Sequence, residues 1–177
     1  VWHEIVNDYV AADPIAVTYC PLCGSGIAYH ATVAGERTEF GTTGKLLNSN
    51  LVMYDRNTDT YWTQIDGKAI EGPLKGDELE EVSINTVVWR DILTANITGQ
   101  VLSKETGFDR DYGEDPYGSY YENSFVMFPV ENEDDSVHPK TVVYGIEIDG
   151  IYKAYRDDDL PVGTVEDTVN GVPITIT

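Results

Sequence analysis

The sequence Val17-Thr-Tyr-Cys-Pro-Leu-Cys-Gly-Ser-Gly26 contains both cysteines of the chain, in a C-x-x-C spacing. The segment before them, residues 14–19, is rich in β-branched and aromatic side chains and predicts a buried strand. Residues 27–33 predict a returning strand. We therefore expect Cys20 to Gly26 to form the turn of a β-hairpin, with Cys20 and Cys23 close together at its tip.

Two thiols at this spacing can close a disulfide or direct both sulfurs at one metal ion. Pro21 fixes one φ angle, and Gly24 and Gly26 allow positive φ, so backbone N–H groups can face the sulfurs. Cys-Pro-Leu-Cys-Gly is similar to one knuckle of a rubredoxin or a zinc ribbon. Such knuckles normally occur in pairs, and the sequence has no second C-x-x-C. The sequence alone supplies at most half of a four-ligand metal site.

His3 is the candidate third ligand. Together with the thiolates of Cys20 and Cys23 it would suit copper(I) or zinc, by ligand softness. The alternative is a partly buried histidine that bonds to the backbone, and the sequence favours this second interpretation.

The charge balance is strongly acidic, with 11 basic and 31 acidic residues and a net charge of −20. This balance argues against binding to nucleic acids, which requires clustered Lys and Arg, and to anionic membranes. We interpret the acidity as a solvated surface of a secreted or salt-adapted protein. No apolar run approaches the roughly 18 residues of a membrane span. The abrupt ends suggest a fragment trimmed from a longer chain, so the missing signal peptide says little about compartment.

The pattern of the whole chain predicts one α+β domain over residues 1–177, rich in β-structure, with antiparallel hairpins, short helices and long loops. The clearest hairpins are expected at residues 51–65 and around the Asp-Gly turn at residues 149–150. The remaining expectations are short helices at residues 2–10 and 86–93, strands at residues 36–40, 79–85 and 101–103, and a turn at residues 41–44.

Residues 6–18 align without gaps on residues 165–177, with six identities that include a Val, an Asp and a Pro-Ile pair. So short a match lies close to what chance provides. It nevertheless suggests that residues 142–177 repeat the N-terminal unit and stop where a cysteine turn would follow.

Polar residues outside the cysteine turn form three further candidate groups. Those immediately before the strand at 51–54 either hold a turn or line a site, and those in the long aromatic-glycine loop either cover the cysteines as a lid or tie the loop down. Asp55 and Arg56 end that strand, and Gln64 is expected to join them across the hairpin. A structural polar network is the favoured interpretation of these three residues. The candidate binding residues are Asn48, Asn50, Asp55, Arg56, Gln64, Arg110, Tyr112 and Asp115.

Several motifs together resemble the family of domains of unknown function numbered 3179, which occurs in bacteria and archaea. The matching segments are Trp2-His-Glu-Ile-Val-Asn-Asp8, Val17-Thr-Tyr-Cys-Pro-Leu-Cys-Gly24, Leu47-Asn-Ser-Asn-Leu-Val-Met-Tyr-Asp-Arg56, Thr60-Tyr-Trp-Thr-Gln64 and Arg110-Asp-Tyr-Gly-Glu-Asp-Pro-Tyr117. The resemblance implies an extracellular or periplasmic protein, membrane-anchored in some full-length members. It implies no activity.

Three functional hypotheses follow from the cysteine pair. The first is an exported metal-binding or thiol-redox domain centred on Cys20 and Cys23, with copper or zinc, or an exported redox or metal partner. The second is a non-catalytic extracellular binding or structural domain in which a disulfide staples the hairpin. The third is a hydrolase or transferase with one cysteine as nucleophile and His3 as base.

Overall fold

The computed structural model describes all 177 residues and is rich in strands, with antiparallel sheets and few helices. The strands are β1 Ile5–Val10, β2 Asp13–Cys20, β3 Ser25–His30, β4 Thr32–Val33, β5 Glu36–Arg37, β6 Phe40–Leu47, β7 Asn50–Asp55, β8 Tyr61–Thr63, β9 Ala69–Glu71, β10 Glu81–Val82, β11 Val143–Ile148, β12 Ile151–Arg156, β13 Val165–Val169 and β14 Val172–Ile176. The one α-helix is α1 Trp89–Thr94, and 3-10 turns occupy Gly118–Glu122 and Asp157–Asp159. The β-rich prediction is confirmed, whereas the α+β label has only loose support.

The chain divides into two compact units. The first unit comprises residues 1–120 and 126–131, and the second comprises residues 121–125 and 132–177. The single-domain prediction for residues 1–177 stays a prediction, because compactness alone does not decide whether the two units fold separately.

The first sheet of the first unit has the strand order β1-β2-β3-β10. The predicted helix at residues 2–10 is wrong, since Ile5 to Val10 pair along their whole length with β2. Isoleucine, valine and tyrosine favour a pleated surface, and pairing across the hairpin supplies more contacts than an isolated helical turn could. The predicted hairpin between β2 and β3 is confirmed, with Cys20 directly opposite Ser25.

The second sheet has the order β6-β7-β8-β9. Asn48 and Ser49 form the tight turn between β6 and β7, and both adopt positive φ angles, 50° and 62°. The predicted turn at residues 41–44 is wrong, because these residues belong to β6 and only cause a register shift between Thr42 and Leu46. The predicted hairpin of β7 and β8 is confirmed.

Hydrogen bonds of Asn7 and Tyr29 are among the polar connections that join the sheets of the first unit. The Asn7 side chain donates to the Phe40 carbonyl at 3.0 Å and accepts from the Phe40 N–H at 2.7 Å. The Tyr29 hydroxyl donates to the Gln64 carbonyl at 2.9 Å. The Tyr29 ring lies so close to Gly67 that a Cβ there would meet a ring carbon at 2.7 Å. Asn7 and Tyr29 therefore fix the first sheet against the second around the buried residues Trp62, Tyr29, Phe40 and Met53.

The region between β9 and β11 contains little regular structure. The predicted strand at residues 79–85 is reduced to Glu81–Val82, and the predicted strand at residues 101–103 is not formed. The predicted helix at residues 86–93 is present as Trp89–Thr94 and has no buried residue. No helix in the structure is long and apolar enough to cross a membrane.

The second unit consists of the hairpins β11-β12 and β13-β14. The predicted turn at Asp149 and Gly150 is confirmed, with positive φ at both residues. In β13-β14 Asp167 lies opposite Ile174, and in β1-β2 Asp8 lies opposite Ile15. The aligned sequences thus form hairpins of identical register, and the repeated-unit interpretation stays a prediction that this match supports.

Candidate functional site

The two cysteines occupy different environments at the tip of the β2-β3 hairpin. Cys20 is the last residue of β2 and is buried, whereas Cys23 is exposed, and both are free thiols. Pro21 and Leu22 are also buried, so the turn folds inward before it returns. Gly24 completes the turn with a φ of +65°, a conformation that glycine adopts without strain.

Cys20 is surrounded by backbone groups. Its sulfur lies 3.8 Å from the Ser49 carbonyl oxygen and accepts from the N–H groups of Cys23 and Leu51. The hydrogen bond to the Cys23 sulfur and then burial raise the pKa of Cys20 far above its usual value. Cys20 is therefore the protonated member of the pair.

Cys23 is surrounded by hydrogen-bond donors. Asn50 Nδ2 donates to the Cys23 sulfur at 3.1 Å, and the Ser25 hydroxyl lies 3.0 Å from it. The Cys20 thiol hydrogen bond, followed by those from Ser25 and Asn50, outweighs burial and lowers the pKa of Cys23 to about 6. At neutral pH Cys23 is consequently a thiolate that is accessible to solvent.

Gln64 organises these donors although it has no solvent exposure. The Thr18 hydroxyl donates to the Ile27 carbonyl at 2.8 Å, so its oxygen accepts from Gln64 Nε2 at 3.0 Å. The orientation of the amide follows, because Gln64 Oε1 accepts from Asn50 Nδ2 at 2.8 Å. The Ser25 hydroxyl lies 2.8 Å from Gln64 Oε1 and can donate its one proton either to this oxygen or to the Cys23 sulfur. Buried polar side chains fully paired in this way hold a single geometry.

The Asn50 amide has only one orientation that satisfies its neighbours. The Ile65 N–H donates to Asn50 Oδ1 at 3.1 Å, which places the Nδ2 group toward Gln64 and the Cys23 sulfur. Asn50 thus lines the site, while Asn48 and Ser49 form the turn before it. Asn48 Oδ1 accepts from the Glu131 N–H at 2.9 Å.

Asp55 and Arg56 lie away from the cysteines. Asp55 accepts from the N–H groups of Asn57 and Thr58, the Thr58 hydroxyl and the Trp62 indole, all at 2.6–3.1 Å. Burial raises its pKa, but the hydrogen bonds from Thr58 and Trp62 outweigh this and leave it lowered. Arg56 is exposed and lies 3.9 Å from Glu39.

The expectation that Gln64 joins Asp55 across the hairpin is wrong. The Gln64 N–H bonds to the Leu51 carbonyl at 3.0 Å, so Gln64 lies beside the start of β7. Asp55 ends the same strand, five residues after Asn50. Successive side chains of a strand alternate between faces, so Asn50 and Asp55 point in opposite directions.

His3 contacts the long aromatic-glycine loop. Its Nε2 atom lies 2.7 Å from the Tyr112 hydroxyl, which is itself 2.5 Å from the Thr106 hydroxyl, and its ring packs against Phe108 and Tyr112. No group of three or more His, Cys, Asp or Glu side chains converges on a position that could hold a metal ion. The structure therefore does not bring His3 together with the two sulfurs as a ligand set.

The other loop candidates contribute mainly to the loop itself. Arg110 is exposed and donates to the neighbouring Asp109 carbonyl at 3.0 Å, and Asp115 Oδ1 accepts from the Tyr117 N–H at 2.8 Å. Tyr117, however, lines a cavity of about 180 Å³ together with Cys20. The lid expectation therefore has support at Tyr117 rather than at Arg110 or Tyr112.

Sequence reasoning missed four residues of the site. Ser25 and Thr18 complete the hydrogen-bond network, Leu51 supplies a backbone donor, and Glu4 lines the Cys20 cavity. Ser25 offered a signal, since a hydroxyl two residues after a cysteine in a turn can reach its sulfur. The other three depend on strand register, which no local pattern reveals.

The fold and the site define a β-rich protein with an asymmetric dithiol. One thiol is buried and protonated, and the other is exposed and ionised within an amide and hydroxyl network. The family model described as "Protein of unknown function (DUF3179)" matches residues 1–177, and the chain belongs to this family. No curated protein and no solved structure matches it.

Proposed function

We propose that the protein carries out thiol–disulfide exchange, with Cys23 as the attacking thiolate and Cys20 as the resolving thiol. The observation that carries this proposal is the difference between the two sulfurs. Cys23 is exposed and has its pKa lowered to about 6 by hydrogen bonds from Cys20, Ser25 and Asn50. The reacting species in such exchange is an accessible thiolate, and the buried neighbour is placed to displace the partner afterwards.

The exchange proceeds in two displacements. The Cys23 thiolate attacks one sulfur of a partner disulfide, the partner S–S bond breaks, and its second sulfur leaves as a thiolate. Cys20 then loses its proton and attacks the Cys23 sulfur, which breaks the mixed disulfide and releases the first partner sulfur as a thiolate. The partner gains two electrons and the protein retains a Cys20–Cys23 disulfide; the reverse sequence oxidises a partner dithiol.

A structural staple is less well supported. A Cys20–Cys23 disulfide closes a loop of four residues, and the loop-entropy relation assigns such a link only about 2 kcal/mol. The hairpin is already held at that point by the pairing of Cys20 with Ser25. A bond there adds little constraint that the ladder does not provide.

Metal binding is a second candidate, favoured by the backbone N–H groups that surround the sulfurs. Those of Cys23 and Leu51 point at Cys20, and that of Ser25 points at Cys23, as in a metal-binding knuckle. Two thiolates suit copper(I) or zinc, but zinc requires further ligands, which the converging side chains do not supply. A cysteine-dependent hydrolase is supported least, because His3 is engaged with Tyr112.

Disulfide exchange also accords with export, which the family resemblance implied. Stable protein disulfides are formed and reshuffled mainly in oxidising compartments such as the periplasm and the cell exterior. We therefore place the proposed activity there, with an exported dithiol or disulfide protein as partner.

The test traps the intermediate. Cys20→Ser protein, incubated with glutathione disulfide, is expected to accumulate a mixed disulfide at Cys23, whereas wild-type protein proceeds to the internal disulfide. The wild-type potential, measured in glutathione buffers, is expected well above the roughly −300 mV limit typical of structural disulfides. Cys23→Ser is the matched variant and should form no adduct at neutral pH.

Two results would overturn the proposal. One is a Cys20→Ser protein that forms no adduct, and the other is a wild-type disulfide below about −300 mV. Elemental analysis of anaerobically purified protein separates the second candidate, since about one copper or zinc per chain, absent from Cys20→Ser, would favour a metal site.

A further inference from the structure

A cavity of about 180 Å³ in the first unit gives access to the buried sulfur. Its lining combines apolar side chains with a few polar ones and includes Glu4, Cys20, Lys45, Leu51, Tyr117 and Phe128. Cys23 is absent from this lining, so the cavity meets the dithiol from the Cys20 side. The volume exceeds that of several water molecules, each of which occupies about 30 Å³ in the liquid.

Glu4 is the only carboxylate in the cavity wall. Its backbone adopts a φ of 59°, a left-handed conformation that glutamate rarely takes. The conformation is fixed from both sides, since the Glu4 carbonyl accepts from the Tyr19 N–H at 2.7 Å and the Ile5 N–H bonds to the His3 carbonyl at 2.6 Å. Such backbone conformations concentrate at functional positions, and here the residue that adopts one lines the Cys20 cavity.

Tyr117 is an electrostatic neighbour of both Glu4 and Cys20. Burial raises the pKa of Tyr117, and the charges of Glu4, Cys20 and Asp115 raise it further. Burial also raises the pKa of Glu4 above its ordinary value of 4.5 and outweighs the positive charge of the nearby N-terminal amino group, which lowers it. A carboxylate of raised pKa is a stronger proton acceptor than an ordinary one.

The other titratable groups around the cavity are less suited to accept a proton. Lys45 directs its ammonium group over the Tyr61 ring, 4.3 Å from the ring centroid. The pKa values of Tyr117 and of Tyr19, which lies near Asp115 and both cysteines, are raised, so both phenols stay protonated at neutral pH.

We propose that Glu4 accepts the proton of Cys20, through water held in the cavity, when Cys20 attacks the mixed disulfide at Cys23. This inference rests on the proposed exchange function and assigns the proton acceptor of its second step. In that step the S–H bond of Cys20 breaks and the proton passes by way of water to the Glu4 carboxylate. The new Cys20–Cys23 bond forms as the partner sulfur leaves with its electron pair.

The experiment uses an aromatic disulfide, 5,5′-dithiobis(2-nitrobenzoate), whose coloured thiolate reports each displacement separately. Cys23 releases the first thiolate, and attack by Cys20 releases the second. Glu4→Gln is expected to slow the second release about ten- to a hundredfold, within the range of a lost general base. The first release should stay within about twofold of wild type, because the donors to Cys23 are unchanged. Glu36→Gln removes the same charge from exposed β5 and should alter neither release.

The pH profile separates proton transfer from a structural effect. In the wild-type protein the second release should slow as the pH falls through the pKa of Glu4, which is raised above 4.5. The Glu4→Gln variant should lose this pH dependence. Glu4→Asp keeps a carboxylate and should retain the pH-dependent step at a lower rate. A normal first release in a variant shows that the site is folded.

The two proposals fail in different ways. If the first release is normal in Glu4→Gln and the second keeps its wild-type rate and pH profile, the role of Glu4 is overturned and the exchange function stands. If wild-type protein releases no first thiolate at neutral pH, the exchange function itself is overturned.

Discussion

Gln64 and Asp55 are both polar side chains without solvent exposure in the first unit, yet they organise two different kinds of network. Every donor that Asp55 meets comes from its own turn or from Trp62, so the network closes on itself and holds the β7-β8 hairpin. The Gln64 network draws on separate strands and ends at the exposed Cys23 sulfur through Asn50 and Ser25.

A buried polar group can be assigned to stability or to chemistry by following where its hydrogen-bond network ends. A network whose members are all satisfied internally fixes a backbone, and removing its centre leaves buried donors without partners. A network that ends at an accessible titratable atom also sets the charge of that atom. The two regions should therefore respond differently to substitution.

The largest effect is expected from Asp55→Ala. Hydrogen bonds to a buried charge contribute about 1.5–3 kcal/mol each, so losing several of them should lower the free energy of unfolding by at least about 3 kcal/mol. Urea denaturation measures this loss. The pKa of Cys23, measured by alkylation of the remaining folded protein, should be unchanged. A shifted Cys23 pKa would show that the two networks are coupled.

Asn50→Asp should act on the sulfur instead. The substitution replaces the Nδ2 donor with an anionic oxygen beside Cys23. Losing a donor to the thiolate and adding a like charge should raise the pKa of Cys23 by about 1 to 2. The pH dependence of iodoacetamide labelling at Cys23 measures it. The control is Asn57→Asp. The Asn57 amide donates to the Arg37 carbonyl, so this substitution introduces the same charge away from the sulfur and should leave the labelling profile unchanged.

The two networks should also lose their stabilising effect in different pH ranges. The folded-state pKa of Cys23 is lowered to about 6 from an ordinary value of 9.0, so its contribution is fully present above pH 9 and is lost as pH falls through 6. Because Cys23 is exposed and screened by solvent, we expect only about 1–2 kcal/mol. Above pH 9 the raised pKa of Cys20 acts in the opposite direction.

Urea unfolding of reduced protein between pH 6 and 9, compared with Cys23→Ser, isolates this contribution. The variant should lack the rise in stability that wild type shows over this range, and parallel curves would contradict the assignment. The contribution of Asp55 lies in a separate window. Because the pKa of Asp55 is lowered from its ordinary value of 3.8, the stabilisation by Asp55 is present above pH 3.8. It disappears only as the pH falls through the folded-state pKa.

The hairpins of the fold could be predicted because their turns carry local signals. Asp149 and Gly150 have the residue types of a tight turn, and the cysteine turn is marked by proline and glycine. The turn between β1 and β2 carries no such signal, since it consists of Ala11 and Ala12. The apolar residues within residues 2–10 fit the spacing of a helix as well as that of a strand. Only the pairing with β2 decides between the two structures.

The site could be predicted where the chain itself places residues together, and it was missed where strand register does so. Cys20 and Cys23 are neighbours through their spacing. Asn50 and Gln64 are among the predicted binding residues, but their common target is not predicted, because it depends on which residue at the end of β8 lies beside the start of β7. Glu4 is sixteen residues before Cys20 and reaches its cavity through the pairing of β1 with β2.

The smallest expected effect, from Ser25→Ala, tests whether the Gln64 network acts on Cys23 as a unit. The Ser25 hydroxyl can donate either to Gln64 Oε1 or to the Cys23 sulfur, so it bonds to the thiol form and the thiolate form alike. Asn50 keeps its own bonds when Ser25 is removed, and we expect the pKa of Cys23 to rise by less than about 1. Iodoacetamide labelling of Ser25→Ala, Asn50→Asp and the double variant measures the coupling. Additive shifts would indicate two independent donors. A double variant that shifts no further than Asn50→Asp alone would show that Ser25 acts on the sulfur only through the arrangement that Gln64 and Asn50 maintain.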